Sequence, residues 1–258
     1  DTGWHAVAMQ QGLRPPAASM AAARDRKLLE RVIGALPPFR ELPQPQLSEL
    51  IAHCRVLQAR RGEAFVRRGE RMPGLIALAS GSAKVSLRGE HGEEKVLRLL
   101  GPGDSFGFAA TALDQPSPVD VIALASATIA VVPPLPIQQL LQADGRFARA
   151  MARELARRIL QLVAELEASV QQSGLQRLAG YLGTLAASNG GVAVHLPATK
   201  TTIAARLGVK KETLSRMLRE LAGRRLIEVS GPEVAILDSD GLSRLAGASA
   251  RSGPGLAP

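Results

Sequence analysis

The sequence predicts an α+β chain: a roll of short antiparallel strands, then one long helix, then a small module of helices closed by a hairpin. Three observations carry this. Nine glycines from Gly62 to Gly107 punctuate short apolar runs, the texture of strands separated by turns. Apolar residues from Met151 to Val170 recur at spacings of three and four, which puts them on one stripe of a helix of many turns. In "IAARLGVKKETLSRMLREL", residues 203–221, a glycine breaks what otherwise reads as one amphipathic helix. The hydrophobic fraction of 46% is ordinary for a chain that buries a core.

Residues 1–22 include "GLRPPAASM" and read as a flexible leader outside the fold. Residues 24–58 read as helical and loop-rich, through "RDRKLLERVIGAL", "PPFRELPQPQ" and "LSELIAHCRVL". The strands of the roll follow in "AFV", "LIALAS", "AKVSLR", "EKVLRLL" and "VDVIALASATIAVV", with "EHGEE" as a hairpin tip where Gly92 supplies a positive φ. The roll domain is therefore expected over 23–135. Pro133, Pro134 and Pro136 end it, and one helix is expected from about Ile137 to Val170, within a segment 136–172. Its stripe is Met151, Leu155, Ile159, Leu162, Leu166 and Val170, with Arg153, Glu154, Arg157 and Arg158 on other faces. A long helix with a narrow stripe packs against another long helix. The chain offers one, so the expected partner is its copy in a homodimer, the alternative being the roll of the same chain. "QQSGLQ", around Ser173 and Gly174, opens a last domain over 173–258.

In that domain "LQRLAGYLGTLAAS" reads as a helix stopped by "NGG", "VAVHLP" as a strand and "IEVSGPEVAIL" as a small wing hairpin. Between them Thr199 or Thr201 can cap a first helix whose inner face is Ile203, Ala204 and Leu207. Gly208 is the corner, where a positive φ is cheap only for glycine. Val209 plugs the junction, and Leu214, Met217, Leu218 and Leu221 hold the second helix. This is the pattern of a winged helix-turn-helix.

Lys210, Lys211, Glu212, Ser215 and Arg216 are left facing outward. Arg can bond guanine O6 and N7 in a bidentate way, Glu can accept from cytosine N4, Ser can bond a base edge or a phosphate, and Lys neutralises phosphates. A carboxylate facing DNA is repelled unless it reads a base or orients Arg216, four positions on. Thr199, Lys200 and Thr201, at the head of the first helix, complete the expected contact set. An ordinary helical hairpin also carries a charged face. It does not call for the small, glycine and apolar positions together, followed by the basic "AGRRL" with Arg224 and Arg225. Net charge is +9, and roughly half of the excess falls after residue 173, which fits double-stranded DNA as the partner.

From about residue 28 to 245 the sequence resembles the Crp/Fnr superfamily of bacterial transcription regulators. "RRGEAFVRRGE", "GLIALASGSAKVSL" and "HGEEKVLRLLGPGDSFG" follow its effector-domain pattern glycine by glycine, and "ETLSR" matches the E-x-x-S-R signature of Fnr-type recognition helices. The resemblance implies a cupin-like β-roll effector domain, a dimer through the long helix and contact with RNA polymerase. It also implies base reading by Glu212, Ser215 and Arg216 on an inverted repeat of the TTGAT…ATCAA kind. The two recognition helices would then lie about 34 Å apart, one DNA turn.

Cyclic-nucleotide-binding members of that family carry Glu after the Gly of a "GDxxGE" segment, then an Arg–Ser pair for the phosphate. Here "GDSFGF" puts Phe108 at the Glu position, and "AATALDQPSPVDV" has no Arg, with Pro118 and Val119 near the place of the pair. A buried phosphate without a cationic partner is unfavourable. The effector, expected in a pocket that includes Phe106 and Phe108, is thus read as something other than a cyclic nucleotide. A four-thiolate cluster is excluded, since Cys54 is the one cysteine.

"KTTIAARLGVKKETLSRMLREL" and "EVSGPEVAILD" look most like the Dnr-type regulators, which sense nitric oxide through haem. The axial-ligand types available are His53, His91, His195, Cys54, Met72 and His5, with His53, on a helix, preferred. An effector-independent regulator and a cyclic-nucleotide-type module serving another partner are the alternatives. A cupin-type metalloenzyme would need His and carboxylates on adjacent strands, and the roll holds only His91, at a turn, so no enzymatic activity is expected. A single thiol fits a reducing cytoplasm. "VIALASATIAVVPPLPI", interrupted by prolines, is short for a membrane span.

Overall fold

A computed structural model of the chain describes residues 20–89, 92–188 and 193–247. His5, His91 and residues 1–19 of the expected leader lie outside them. Two compact units are present, one ending at Leu160 and one beginning at Gln161.

The first unit opens with helices α1 (Met20–Gly34) and α2 (Gln44–His53). Within "LSELIAHCRVL", part of the segment read above as helical and loop-rich, α2 stops at His53 and Arg55–Ala59 is strand β1. Its residues alternate between two apolar clusters, Val56 toward the helices and Leu57 toward the roll interior. A strand allows that division and a helix does not.

The remaining strands are β2 (Ala64–Val66), β3 (Leu75–Ser80), β4 (Ala83–Arg88), β5 (Glu94–Leu100), β6 (Ser105–Phe106), β7 (Asp120–Ala123) and β8 (Ala127–Val132). They form two four-stranded antiparallel sheets, ordered β1-β8-β3-β6 and β2-β7-β4-β5. Between the sheets lie Leu57, Phe65, Ile76, Leu78, Val85, Val121, Ile129 and Val131. The first sheet is apolar on its other face too. Leu75, Ala77, Ala130 and Val132 pack there against Ile33, Phe39, Leu50, Ile51 and Phe147. Burial on both faces explains why "LIALAS" and "ATIAVV" read as continuous rather than alternating apolar runs. A short helix α3 (Phe108–Ala112), which the sequence reading lacked, follows β6.

The long helix expected from 137 to 170 is two helices, α4 (Pro134–Ala143) and α5 (Gly145–Gln171). Pro134 and Pro136 sit in the first turn of α4, where a missing N–H removes no hydrogen bond. Asp144 is the break. Its backbone is extended, and its Oδ1 accepts from the amides of Arg146 at 2.8 Å and Phe147 at 3.2 Å, capping α5. The apolar stripe of α5 divides in turn. Met151 is 2% exposed and Leu155 half-buried, both against the cluster of Phe39 and Phe147 in their own chain. These first turns follow the alternative of packing on the same chain, which withdraws Met151 from the expected dimer face. Ile159, Leu162, Leu166 and Val170 stay exposed, together with Leu160 and Val163.

The second unit holds α6 (Gly174–Ser188), β9 (Ala193–His195), α7 (Lys200–Leu207), α8 (Lys211–Gly223), β10 (Ile227–Ser230), β11 (Glu233–Ile236) and α9 (Ser239–Leu245). A sheet β10-β11-β9 and the helices enclose Leu178, Leu182, Ile203, Leu214, Leu218, Leu221, Ile227, Val234 and Leu242. Ser173 and Gln176 form a reciprocal cap at the start of α6: Gln176 N donates to Ser173 Oγ, and Ser173 N donates to Gln176 Oε1. No described helix is long and apolar enough to cross a membrane.

The Phe147 amide, then the Arg146 amide, hold the Asp144 carboxyl below the usual carboxylate range; burial opposes them and the charges of Arg146 and Arg149 assist. A lowered folded-state pKa adds stability above the unfolded value of about 3.9, and that stability is lost as pH falls through the folded value. Asp144→Ala is expected to lower the thermal midpoint at neutral pH, with the gap to wild type closing as pH falls below about 3.9. Far-UV circular dichroism melts across that range check it. A gap independent of pH would mean that capping by the carboxylate is not what Asp144 contributes.

Candidate nucleic-acid interface

Two helices and the turn between them position the residues singled out in the second unit. Of the two expected caps, Thr199 is the one that acts: its Oγ1 accepts from Thr202 N at 3.3 Å, while Thr201 is exposed in the first turn. Ile203, Ala204 and Leu207 are buried, so α7 presents its small and apolar side to the core. Gly208 ends it at φ 69°, ψ 37°, and Val209 N donates to Ala204 O at 3.0 Å. That left-handed residue turns the chain sharply enough for Val209 to plug the junction and for α8 to leave in a new direction.

In α8, Leu214, Met217, Leu218 and Leu221 are buried. Lys210, Lys211, Glu212 and Arg216 are exposed and Ser215 is half-buried. They are thus gathered over about 9 Å of helix axis. Lys210 is the N-cap and has no acceptor, so the first-turn amides receive no side-chain cap. Those donors, the positive end of the helix dipole and the two lysines all favour an anion at the same place. Glu212 in the first turn offsets part of that positive potential. Of the two roles weighed for Glu212, the pairing with Arg216 does not form here. Arg216 Nη2 donates to Thr213 Oγ1 at 3.4 Å instead, and Glu212 stays open to solvent. Lys200, half-buried, and Thr199 and Thr201, exposed, mark the head of α7.

The basic "AGRRL" lies outside the wing hairpin. Arg224 and Arg225 lie at the end of α8, with Arg224 bonded to Glu220 and Arg225 at φ 56° in the turn to β10. The hairpin itself, Ile227 to Ile236, contains Glu228 and Glu233 and no Lys or Arg. Its Glu233 meets His195 of β9 at 2.5 Å. Two residues that the sequence reading passed over, Arg177 and Arg206, make the longest-range polar contacts of α7.

In the first unit the two expected effector residues pack in different apolar clusters. Phe106 packs, partly buried, against the roll interior. Phe108 joins the outer cluster and stacks on Phe39 with centroids 6.4 Å apart. Residues two apart share a face only in a continuing strand. Gly107, at φ 100°, ends β6 and starts α3 between them, and a Cβ there would lie 2.4 Å from Met72 Cε.

Among the described residues the buried polar side chains of this unit are Ser86, Thr111, Ser117 and Asp144, and none is cationic. Arg98 is half-buried and bonded to Asp104 Oδ1 at 2.7 Å and Ser105 O at 3.0 Å. His53 is exposed at the end of α2. The Cys54 thiol donates to Leu50 O at 3.2 Å, and burial pushes it up to about 12, so it stays protonated. Met72 is buried in the roll interior. Among the described residues no three His, Cys, Asp or Glu converge as a metal cluster.

Comparison with known proteins follows the two units. Residues 56–144 match the cyclic nucleotide-binding domain, and residues 176–245 match the Crp-like helix-turn-helix domain. The transcriptional activator protein FnrA of Stutzerimonas stutzeri is 26% identical over 206 residues, covering 78% of this chain and 83% of that one. The CRP-like cAMP-activated global transcriptional regulator of Mycobacterium tuberculosis is 26% identical over 229 residues, covering 84% and 100%. The structure of FixK2 from Bradyrhizobium japonicum shares the fold with a TM-score of 0.69 at 18% identity, covering 76% of this chain and 99% of that one. With a capped helix, a glycine elbow and a second helix that buries one side and opens the other, lying in the matched helix-turn-helix domain behind a matched roll, this chain belongs to the Crp/Fnr family of DNA-binding transcription regulators.

Proposed function

We propose that the protein works as a homodimer that reads an inverted-repeat operator through α8 and answers to an effector other than a cyclic nucleotide. The observation that carries the reading is the outward set Lys210, Lys211, Glu212, Ser215 and Arg216, directly after the Gly208 elbow. Arg216 is the candidate for a guanine, Glu212 for a cytosine amine, Ser215 for a base edge or phosphate, and the lysines for phosphates. Thr199, Lys200 and Thr201 would add backbone contacts at the head of α7. Six large apolar side chains open to water on one helix, from Ile159 to Val170, are what a second copy of α5 would cover. Two-fold symmetry then calls for two half-sites. RNA polymerase is the further partner that membership in this family suggests.

Three observations favour an effector other than a cyclic nucleotide. Phe108 is buried against Phe39, the roll interior is apolar, and no buried cation among the described residues could pair a phosphate. The match to the cyclic nucleotide-binding domain keeps cAMP or cGMP as the second reading. Titration calorimetry with each is expected to give no heat of binding, and saturable binding would replace the first reading by the second. Haem with His53 as ligand has little support here: the ring is exposed, and the adjacent thiol is protonated and bonded. In the mechanism proposed, an effector shifts packing where Phe39, Phe108 and Phe147 meet α5, and the segment at Gln172 and Ser173 passes the change to the recognition helix.

Four further outcomes are expected. Arg216→Ala should weaken binding to the selected operator by about 1–3 kcal/mol and relax base preference at one position, whereas Lys211→Ala should lower the slope of log K against log salt by about 1. Footprints and titrations at several salt concentrations measure both, and an Arg216→Ala footprint identical to wild type would remove base reading by that residue. Leu162→Glu with Leu166→Glu should halve the mass seen by light scattering; a mass unchanged from a wild-type dimer, or a monomeric wild type, would remove the α5 pairing. Protein mixed with haem and then desalted is expected to retain no Soret band, and a stoichiometric band that shifts on addition of nitric oxide would restore the haem reading.

A further inference from the structure

Arg177 and Arg206, outside the DNA-facing set, hold α7 to the end of the long helix. Arg177 lies in the first turn of α6 and is half-buried. Its Nη1 donates to Gln172 O at 2.6 Å, and its Nε and Nη2 donate to Leu207 O at 3.2 and 3.1 Å. Leu207 ends α7, where carbonyls lack partners within the helix. Gln172 is the first residue after α5, and its Nε2 donates to Ala246 O at 3.3 Å. Beside Leu207, Arg206 reaches Glu165 on α5 through two bonds of 3.0 and 3.3 Å. Both tethers therefore end at residues 206–207, immediately before the Gly208 elbow from which α8 departs.

We infer that Arg177, assisted by Arg206, is a positioning residue for DNA reading: it joins the carbonyl of Gln172 to that of Leu207, so that the direction of α8 follows the end of α5. The inference rests on the DNA reading above and adds which side chains carry the setting of the helix to the elbow. A guanidinium suits this task because its donors form a rigid planar fork that never loses its charge near neutral pH. Three donors shared between two carbonyls fix distance and angle together, which a single ammonium cannot do. A direct phosphate contact by Arg177 is the poorer account, since those three donors are already bonded inside the unit.

The test uses the full chain, a duplex selected by the wild type from randomised inverted repeats, and a non-specific duplex of equal length. Arg177→Met is expected to weaken the selected duplex about tenfold, with non-specific affinity and salt slope unchanged, and Arg177→Lys to recover part of the loss. Equal losses on both duplexes with a lower thermal midpoint would reduce Arg177 to a structural part. A reduced salt slope would make it a phosphate contact, and unchanged specific affinity would end the proposal while leaving DNA binding intact. If the wild type selects no duplex, the DNA reading fails and this inference fails with it. Should Arg177→Met not fold, charge reversal answers: Arg206→Glu and Glu165→Arg are each expected to lower the ratio of specific to non-specific affinity, and the double reversal to recover part of it. No recovery would overturn the tether.

Discussion

Burial of Leu214, Met217, Leu218 and Leu221 determines which side of α8 faces water, and the candidate interface depends on that choice. Each such side chain gains about 1.5–3 kcal/mol on burial, so the four supply on the order of 6–12 kcal/mol. Crowding of like charges on the opposite face works against this by only about 0.2–0.5 kcal/mol per pair. The apolar side wins by a wide margin, and the cations point outward whether or not an anion is present. Local rules at the head of α8 are broken at the same time. A lysine stands at the N-cap where Ser, Asp or Asn would satisfy an amide, and two positive charges face the positive end of the dipole. Such a conflict between local preference and the whole is most often found at functional sites, and an incoming phosphate would relieve it.

The roll is organised by a sheet that is apolar on both faces. Ile76, Leu78, Ile129 and Val131 fill the interior while Leu75, Ala77, Ala130 and Val132 seat the helices. Any change of shape inside the roll is thereby in direct packing contact with the helix layer, because close-packed side chains transmit displacement rather than absorb it. Phe39 is the meeting point of that layer, touching Phe108 on one side and Phe147 of α5 on the other, with centroids 6.4 and 5.3 Å away. Phe108 is thus linked to α5 through Phe39 by apolar packing.

The long helix is covered by its own chain along only part of its length. Its first turns, through Met151 and Leu155, belong to the core of their own chain. Its later turns expose Ile159, Leu162, Leu166 and Val170. Asp144 separates the two helices, its extended backbone ending α4 and its carboxylate capping α5. At the other end, the reciprocal cap of Ser173 and Gln176 stops α5 and starts α6 within two residues.

Period and punctuation made most of this legible. The strands "AFV", "LIALAS", "AKVSLR" and "EKVLRLL" and the two helices around Gly208 follow from apolar spacing and from turn residues whose effects are local. The outward set on α8 was legible for the same reason, since a helix period assigns faces without knowledge of the rest. Other features were not. Arg55–Ala59 became a strand because β8 offered it a partner 70 residues away in sequence, and the same stripe that names Met151 and Ile159 together could not say that one is covered by Phe147 and the other is open. Phe106 and Phe108 parted because Gly107 adopted a left-handed turn, and Arg177 found its acceptors on residues 172 and 207 only once the chain had folded back. What the sequence determined by itself is therefore each element's type and its apolar side, which short-range sterics and periodicity dictate. What the tertiary structure alone decided is which surface each apolar side meets and which polar groups meet across long loops, because those contacts depend on distances that no local pattern encodes.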